Sequence, residues 1–306
     1  MPENEPQHLY TPEALAACEK ALRTLLVKIG PWGGRVFLIG GLVPHYLIGK
    51  APSDMKEHVG TTDLDIVVGV AISTEEQEVY RTLQNNLKEA GFAPTRNPET
   101  GQEQSFRWSR NVDGIEVLLE FFCPVGEGQP GTILRNPGDG VGSKIGAIRT
   151  SGAELAALDS FAVQLDGETL DHGGLREGVF VHVANLLPFI VLKAFALGER
   201  EKDKDSYDIV WTFNAYPGGP EGAAQKMKDS PVREHPEVAR AINYLREGFR
   251  TIEHNGPSQY ARFERTGDSE EERTNLKRFA HGTVGEFLRH WDARLAGRGL
   301  DTDLGW

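Results

Sequence analysis

Thr61-Thr62-Asp63-Leu64-Asp65-Ile66-Val67-Val68 is the stretch whose reading decides the fold. Leu64, Ile66, Val67 and Val68 are the apolar and β-branched residues of a buried strand. Side chains alternate faces along a strand, so Asp63 and Asp65 point one way while Leu64 and Ile66 point the other. Two carboxylates on one face of a central strand repel each other and are poorly solvated. A divalent cation resolves that conflict, because Mg²⁺ takes oxygen ligands, usually one or two carboxylates together with water and substrate phosphates. The alternative is an edge strand whose acids face water.

Upstream, the run from Arg35 to Ile39 reads as a strand that breaks at Gly40-Gly41 before a helical Leu42 to Ile48. Pro44 is tolerated only in a first helical turn, which sets the glycines at the helix start. A strand, a glycine turn and a helix N-terminus present backbone N–H groups to a phosphate, although a plain turn is written the same way. Downstream, Ile115 to Phe122 reads as a buried strand with Glu120 deep inside it. Glu120 is the natural third ligand beside Asp63 and Asp65; pairing with an arginine is the other reading. Glu116, near the polar Asp113-Gly114 end, reads as solvated.

The third element is the apolar helix Leu186 to Arg200, interrupted by Lys193, with Arg200 seven residues later on the same stripe. Two cations on one stripe suit a triphosphate. Asp205 and Asp208, three apart at the start of a second helix, either orient Lys193 and Arg200 by ion pairing or touch the nucleotide. The plainer account is a lysine snorkelling from a core helix, followed by a solvated charged turn from Glu199 to Asp208.

Together these segments resemble the nucleotidyltransferase superfamily: a Gly-Gly turn, an Asp-x-Asp strand and a third acidic strand. The closer likeness is to the AbiEii-type toxins of type IV toxin-antitoxin and abortive-infection pairs, whose later lysine helix, arginine, Lys-Asp and Asp match Lys193, Arg200, Lys204-Asp205 and Asp208. The likeness covers roughly residues 35 to 212. It departs from the family pattern at Val59, where many relatives carry a basic residue, at Glu120, often Asp elsewhere, and in the polar insertion from Lys50 to Gly60. The resemblance implies an α/β (α+β) core, a mixed sheet flanked by helices, that transfers a nucleotide from a nucleoside triphosphate to an acceptor hydroxyl. Asp63, Asp65 and Glu120 would hold Mg²⁺, or Mn²⁺ in its place, and with Lys193 form the catalytic set. Gly40, Gly41, Thr61, Thr62, Lys193, Arg200, Asp205 and Asp208 would form the nucleotide-binding set. The implied acceptor is a tRNA 3′ end, and the implied partner a cognate antitoxin. Transfer to a small molecule such as an antibiotic, or to a protein side chain, is the second enzymatic reading. A domain that only binds nucleotide or a partner is the third.

Whole-chain properties set the frame. The 306 residues carry a formal charge of -12. From Lys226 to Trp306 there are 14 basic and 14 acidic residues, so the whole excess of 12 acids lies before residue 226. An acidic chain argues against a broad nucleic-acid surface, while the balanced, arginine-rich end offers Arg240, Arg246, Arg250, Lys277 and Arg278 to an RNA, or simply to solvent. No stretch approaches the ~20 apolar residues that cross a bilayer, and Met1 to Glu5 is not a basic-then-apolar leader, so a cytoplasmic protein without a membrane partner is expected. Cys18 and Cys123 make neither a disulfide framework nor a metal spacing, and His45, near the glycine turn, reads as packed or surface-exposed.

Helices are expected over 11–29, 75–90 and 153–158, with broken strands from Phe161 to Val183. Six Gly and three Pro between Cys123 and Gly142 predict loops and turns, a candidate lid. The expected organisation is a catalytic domain over 1–213, a linker over 214–230 around Tyr216-Pro217-Gly218-Gly219-Pro220, and a mainly helical lobe over 231–306.

Overall fold

The computed structural model describes residues 11–29, 36–68, 83–135, 145–170, 175–267 and 269–293. The first helix, α1 (Pro12–Ile29), buries the stripe Cys18, Ala21, Leu22, Leu25 and Ile29 that its 3.6-residue period predicts. Strand β1 (Val36–Ile39) leads into one 3₁₀ turn, Gly40–Leu42, and then α2 (Val43–Ile48), with Pro44 in its first turn. Strand β2 is Asp63–Val68. Residues 83–89 form α3 and Ala90 a turn; residues 75–82 of the helix expected over 75–90 lie outside the described residues. Strands β3 (Ala93–Arg96), β4 (Glu103–Val112) and β5 (Ile115–Pro124) follow. Asp113 and Gly114 join β4 to β5 at φ 53° and 90°, the left-handed pair that a two-residue hairpin requires.

The glycine- and proline-rich stretch is not wholly loop. It contains the end of β5 and a short strand β6 (Ile133–Leu134), which pairs with β7 (Ala147–Thr150); its residues 136–142 lie outside the described residues. Helix α4 (Leu155–Leu158) precedes β8 (Ser160–Gln164), β9 (Gly167–Glu168), β10 (Leu175–Arg176) and β11 (Phe180–Ala184). Gly173-Gly174, expected to break these strands, lies outside the described residues. Six helices complete the chain: α5 (Leu186–Glu199), α6 (Asp203–Ala215), α7 (Gly219–Lys228), α8 (Pro236–Gly248), α9 (Asn255–Glu264) and α10 (Glu270–Asp292).

This is the expected α/β fold with a helical C-terminal region. The mixed sheet runs β3-β4-β5-β2-β1-β11-β8, with β7 beside the end of β5 and β6 beside β7. β2 is central, antiparallel to β1 and parallel to β5, so its acids do not stand on an edge. One face carries Leu38, Leu64, Ile66, Leu119 and Phe121 into the main core with α1. The other carries Ile39 and Val67 against Ala153 and, in α4, Ala156, and it is this face that bears the acids. Among the described residues no helix is long and apolar enough to cross a membrane.

Residues 214–230 do not form an exposed linker. Gly218 turns left-handed at φ 80°, Pro220 starts a helical turn, and α7 buries Ala223, Ala224 and Met227. The Gly-Pro punctuation marks a helix start here, and one apolar core continues from Ala17 in α1 to Phe287 in α10. Phe213 of α6 stacks on Phe287 of α10 at 4.1 Å between ring centroids.

Candidate active site

The parallel pairing of β2 with β5 places Asp65 in register with Glu120, and Asp63 with Leu118. Neighbouring strands lie roughly 4.8 Å apart, so Asp65 and Glu120 share one face as direct neighbours. On the far side of β5, Arg107 of β4 stands opposite Glu120 and donates through Nε to Oε1 at 2.5 Å. The arginine partner entertained for Glu120 is therefore present. Asp63 Oδ2 lies 3.7 Å from Lys202 Nζ.

The glycine turn closes over the acids. Gly40 sits at φ 75°, and a Cβ on it would come within 1.8 Å of Asp65 Oδ2; a Cβ on Gly41 would be 2.9 Å from Lys204 Nζ and 3.0 Å from Thr61 Oγ1. Gly40 is thus required by close approach and by its left-handed backbone, while Gly41 is tightly packed. Thr61 is buried, and its Oγ1 accepts from the Asp63 N–H at 3.0 Å, fixing the entry to β2. Thr62 Oγ1 lies 3.4 Å from Asp63 Oδ1, and the Thr62 carbonyl accepts from the Leu118 N–H, an extension of the β2–β5 ladder.

Opposite stands a ladder of charge on α5, α6 and the turn between them, buried except at Arg200. Lys193 Nζ donates to Asp205 Oδ1 at 2.9 Å and lies 2.6 Å from Asp208 Oδ2. Arg200 donates to both Asp205 oxygens, at 2.7 and 2.9 Å. Lys204 Nζ donates to both Asp208 oxygens, at 2.8 and 3.1 Å. The expected helical stripe is not what unites Lys193 and Arg200: Arg200 has extended backbone just past the end of α5, and the shared Asp205 carboxylate brings them together. The run after Glu199 is not a solvated turn either. All of α6 except Asn214 is buried, so its charges must be matched in place.

The ladder and the acids face one cavity of about 340 Å³. Its lining includes Gly40, Gly41, Thr61, Asp63, Asp65 and Glu120 on one side and Lys193, Arg200, Lys202 and Lys204 on the other. Phe122, Ile148, Arg149, Thr150, Leu192 and Ala196 add a wall that is partly apolar. Asp205 and Asp208 do not line the cavity; they lie behind Lys193 and Lys204 with no exposed surface. Thr62 is likewise outside the lining.

The electrostatics follow from this placement. Burial, then the charges of Glu120 and Asp63, push the Asp65 carboxyl up to about 7, against the pull of Lys193 and Arg200. Burial acts to lower the Lys193 ammonium, but Asp205 and Asp208 outweigh it and hold the group above the ordinary lysine range. Asp205 is buried too, and Lys193 and Arg200 overcome that to hold it at about 2. Asp208 is held well below the ordinary carboxylate range, with Lys193 and Lys204 prevailing over burial. Lys204 is drawn down by burial and by the Lys193 and Lys202 charges, against the pull of Asp208.

Among the described residues no three His, Cys, Asp or Glu side chains are gathered in chelating geometry. The reason is local: Glu120 is drawn to Arg107 and Asp63 leans toward Lys202. The donor chemistry nevertheless fits a hard divalent cation. The set is all carboxylate oxygen on adjacent strands, and Asp65 is raised by burial and then by the like charges that such an ion would neutralise.

Sequence reasoning missed Arg107, Lys202 and His58. Arg107 had a weak signal, a long cation within a strand hairpinned to the Glu120 strand. His58 had none, since it belongs to the polar insertion; that insertion folds onto α6, with Trp211 Nε1 donating to the Lys56 carbonyl at 3.0 Å. His45 turns to Glu19, 3.4 Å from its Oε1. No family model matches the sequence, and the search of curated proteins returns no match.

Proposed function

We propose that this protein transfers a nucleotidyl group from a nucleoside triphosphate to an acceptor hydroxyl, using Mg²⁺ or Mn²⁺. The observation that carries the reading is the junction at Asp65: in register with Glu120, two residues from Asp63, roofed by Gly40 and facing Lys193 across one cavity. Asp63, Asp65 and Glu120 are the residues that would hold the cation, which when bound screens phosphate charge and lowers the pKa of an attacking hydroxyl. The bare Gly40-Gly41 backbone lets phosphate oxygens come close. Lys193, Lys204 and Arg200 supply positive charge for a triphosphate and its leaving pyrophosphate, and Asp205 and Asp208 keep those cations fixed so that little reorganisation is needed during transfer. Three carboxylates facing a cation ladder serve no purpose in a module that only docks a protein.

The acceptor follows the resemblance to AbiEii-type toxins: a tRNA 3′ end, in the cytoplasm, with a cognate antitoxin as restraint. One observation favours a second acceptor class, a small molecule or a protein side chain. Three of the five C-terminal cations that an RNA would use are engaged within the lobe: Arg240 with Glu237 at 2.7 Å, Arg246 with Asp292 at 2.5 Å and Lys277 with Glu253 at 2.7 Å. The test is incubation with Mg²⁺, each α-labelled nucleoside triphosphate and total cellular RNA, with Asp65→Ala alongside. Label in a tRNA-sized band with the wild type alone is the expected result. Label on protein or small molecules moves the acceptor to the second class, and equal labelling by Asp65→Ala overturns the reading.

A further inference from the structure

His58 belongs to no element, yet its side chain is only 4% exposed. The imidazole packs between Tyr207 and Trp211 of α6, with ring centroids 5.2 and 4.8 Å away. The segment around it is pinned to the same helix, since the Val59 N–H donates to Tyr207 Oη at 3.1 Å. The Gly60 N–H donates to His58 Nδ1 at 3.1 Å. An Nδ1 that accepts carries no proton, so in the neutral ring the proton sits on Nε2. Nε2 lies 3.0 Å from Asp208 Oδ1 and donates to it.

We propose that His58 is a positioning residue of the nucleotide site: as a neutral Nε2–H donor it holds the Asp208 carboxylate, and through it the ammonium groups of Lys193 and Lys204, against the cavity. This rests on the function proposed above. Asp208 Oδ1 takes His58 and Lys204, while Oδ2 takes Lys193 and Lys204. Without His58 the carboxylate loses a partner that comes from outside α5 and α6, from the chain entering β2. Lys204 has little room to wander, because its Nζ lies so close to Gly41 that a Cβ there would be 2.9 Å away.

The choice of a neutral donor has a physical reason. The ladder already sets the buried Lys193 and Lys204 and the half-exposed Arg200 against Asp205 and Asp208, one positive charge in excess. A fourth cation would be costly so far from water, whereas a neutral imidazole adds a hydrogen bond and no charge. Burial, with Lys204 and Lys193 nearby, pushes the His58 pKa down to about 4 against the pull of Asp208, so the ring stays neutral across the physiological range.

Two measurements on the full chain test this. The first is a long-range ¹H–¹⁵N spectrum of the imidazoles, with the His58 signals assigned by their loss in His58→Gln. The proposal expects protonated Nε2 and bare Nδ1 unchanged from pH 5.5 to 9; an Nδ1–H tautomer, or a titration near pH 6.5, overturns it. The second is calorimetric binding of the non-cleavable α,β-methylene analogue of each nucleoside triphosphate with Mg²⁺. Loss of a hydrogen bond to a charged group predicts about tenfold weaker binding by His58→Leu, and His58→Gln, whose amide reaches the Nε2 position, should recover most of it at similar thermal stability. Binding by His58→Leu equal to the wild type, or equal weakening in both variants, sinks the positioning role while the nucleotide reading stands. A wild type that binds none of the four analogues removes that reading and this role together.

Discussion

Asp65→Asn should make the protein more stable, and the gain should depend on pH. In the folded chain the Asp65 carboxyl is pushed up to about 7, first by burial and then by Glu120 and Asp63, whereas an unfolded aspartate titrates near 3.9. Below both values the side chain is neutral in either state and costs nothing. As pH rises above about 4 the unfolded carboxyl ionises while the folded one stays protonated, so wild-type stability falls until the folded group ionises near 7, beyond which the loss is constant. Three units at 1.36 kcal/mol each set a ceiling of about 4 kcal/mol. Asp65 lines a cavity rather than a sealed core, so water and relaxation should leave on the order of 2 kcal/mol. An unfolding entropy of roughly 2.1 cal/mol/K per residue over 306 residues turns that into about 3 °C in Tm. The assay is urea unfolding and calorimetry of both proteins in EDTA at pH 5 and pH 8. The variant should lead clearly at pH 8 and by less than half as much at pH 5. An advantage equal at both pH values, or a variant weaker at pH 8, would refute the claim that the fold holds Asp65 against its own ionisation.

Adding Mg²⁺ at pH 8 should raise the wild-type Tm by a few degrees and leave Asp65→Asn nearly unmoved, because the ion relieves the same repulsion; equal shifts in both would place the ion elsewhere. Gly40→Ala should cost several kcal/mol in urea unfolding, since the Cβ would meet Asp65 Oδ2 at 1.8 Å, whereas Gly49→Ala, with open space around it, should cost only the backbone strain of φ 69° and ψ -105°, about 1–3 kcal/mol. Similar losses at the two sites would mean that backbone strain alone matters. Lys193→Met should destabilise by about 3–5 kcal/mol, because Asp205 and Asp208 then share too little positive charge in a dry place. A loss below about 1 kcal/mol would show that Arg200 and Lys204 suffice.

The acids, the glycine turn and the lysine helix were legible because each is a local pattern. Alternation in β2 put Asp63 and Asp65 on one face, and the apolar run around Glu120 marked a strand before any neighbour was known. The α6 charges were harder, since Asp203-Lys204-Asp205 is written like a solvent-facing helix start. It is buried only because α5, α9 and the insertion before β2 close around it, and Arg262 of α9 reaches Asp203 Oδ1 at 2.6 Å. The Gly-Pro run after Tyr216 misled for a related reason: the same residues that break one helix can start the next, and packing of α7 against α10, α6 and α5 selects the second outcome.

By itself the sequence put Asp63 and Asp65 on one face of a strand, Glu120 inside another strand and Lys193 in an apolar helix, because helix and strand periods are set by bonds spanning a few residues. Which strand lies beside which is a sum over distant contacts. Only the tertiary structure could pair Asp65 with Glu120, turn Glu120 toward Arg107, and set His58 on an aspartate 150 residues away in the chain.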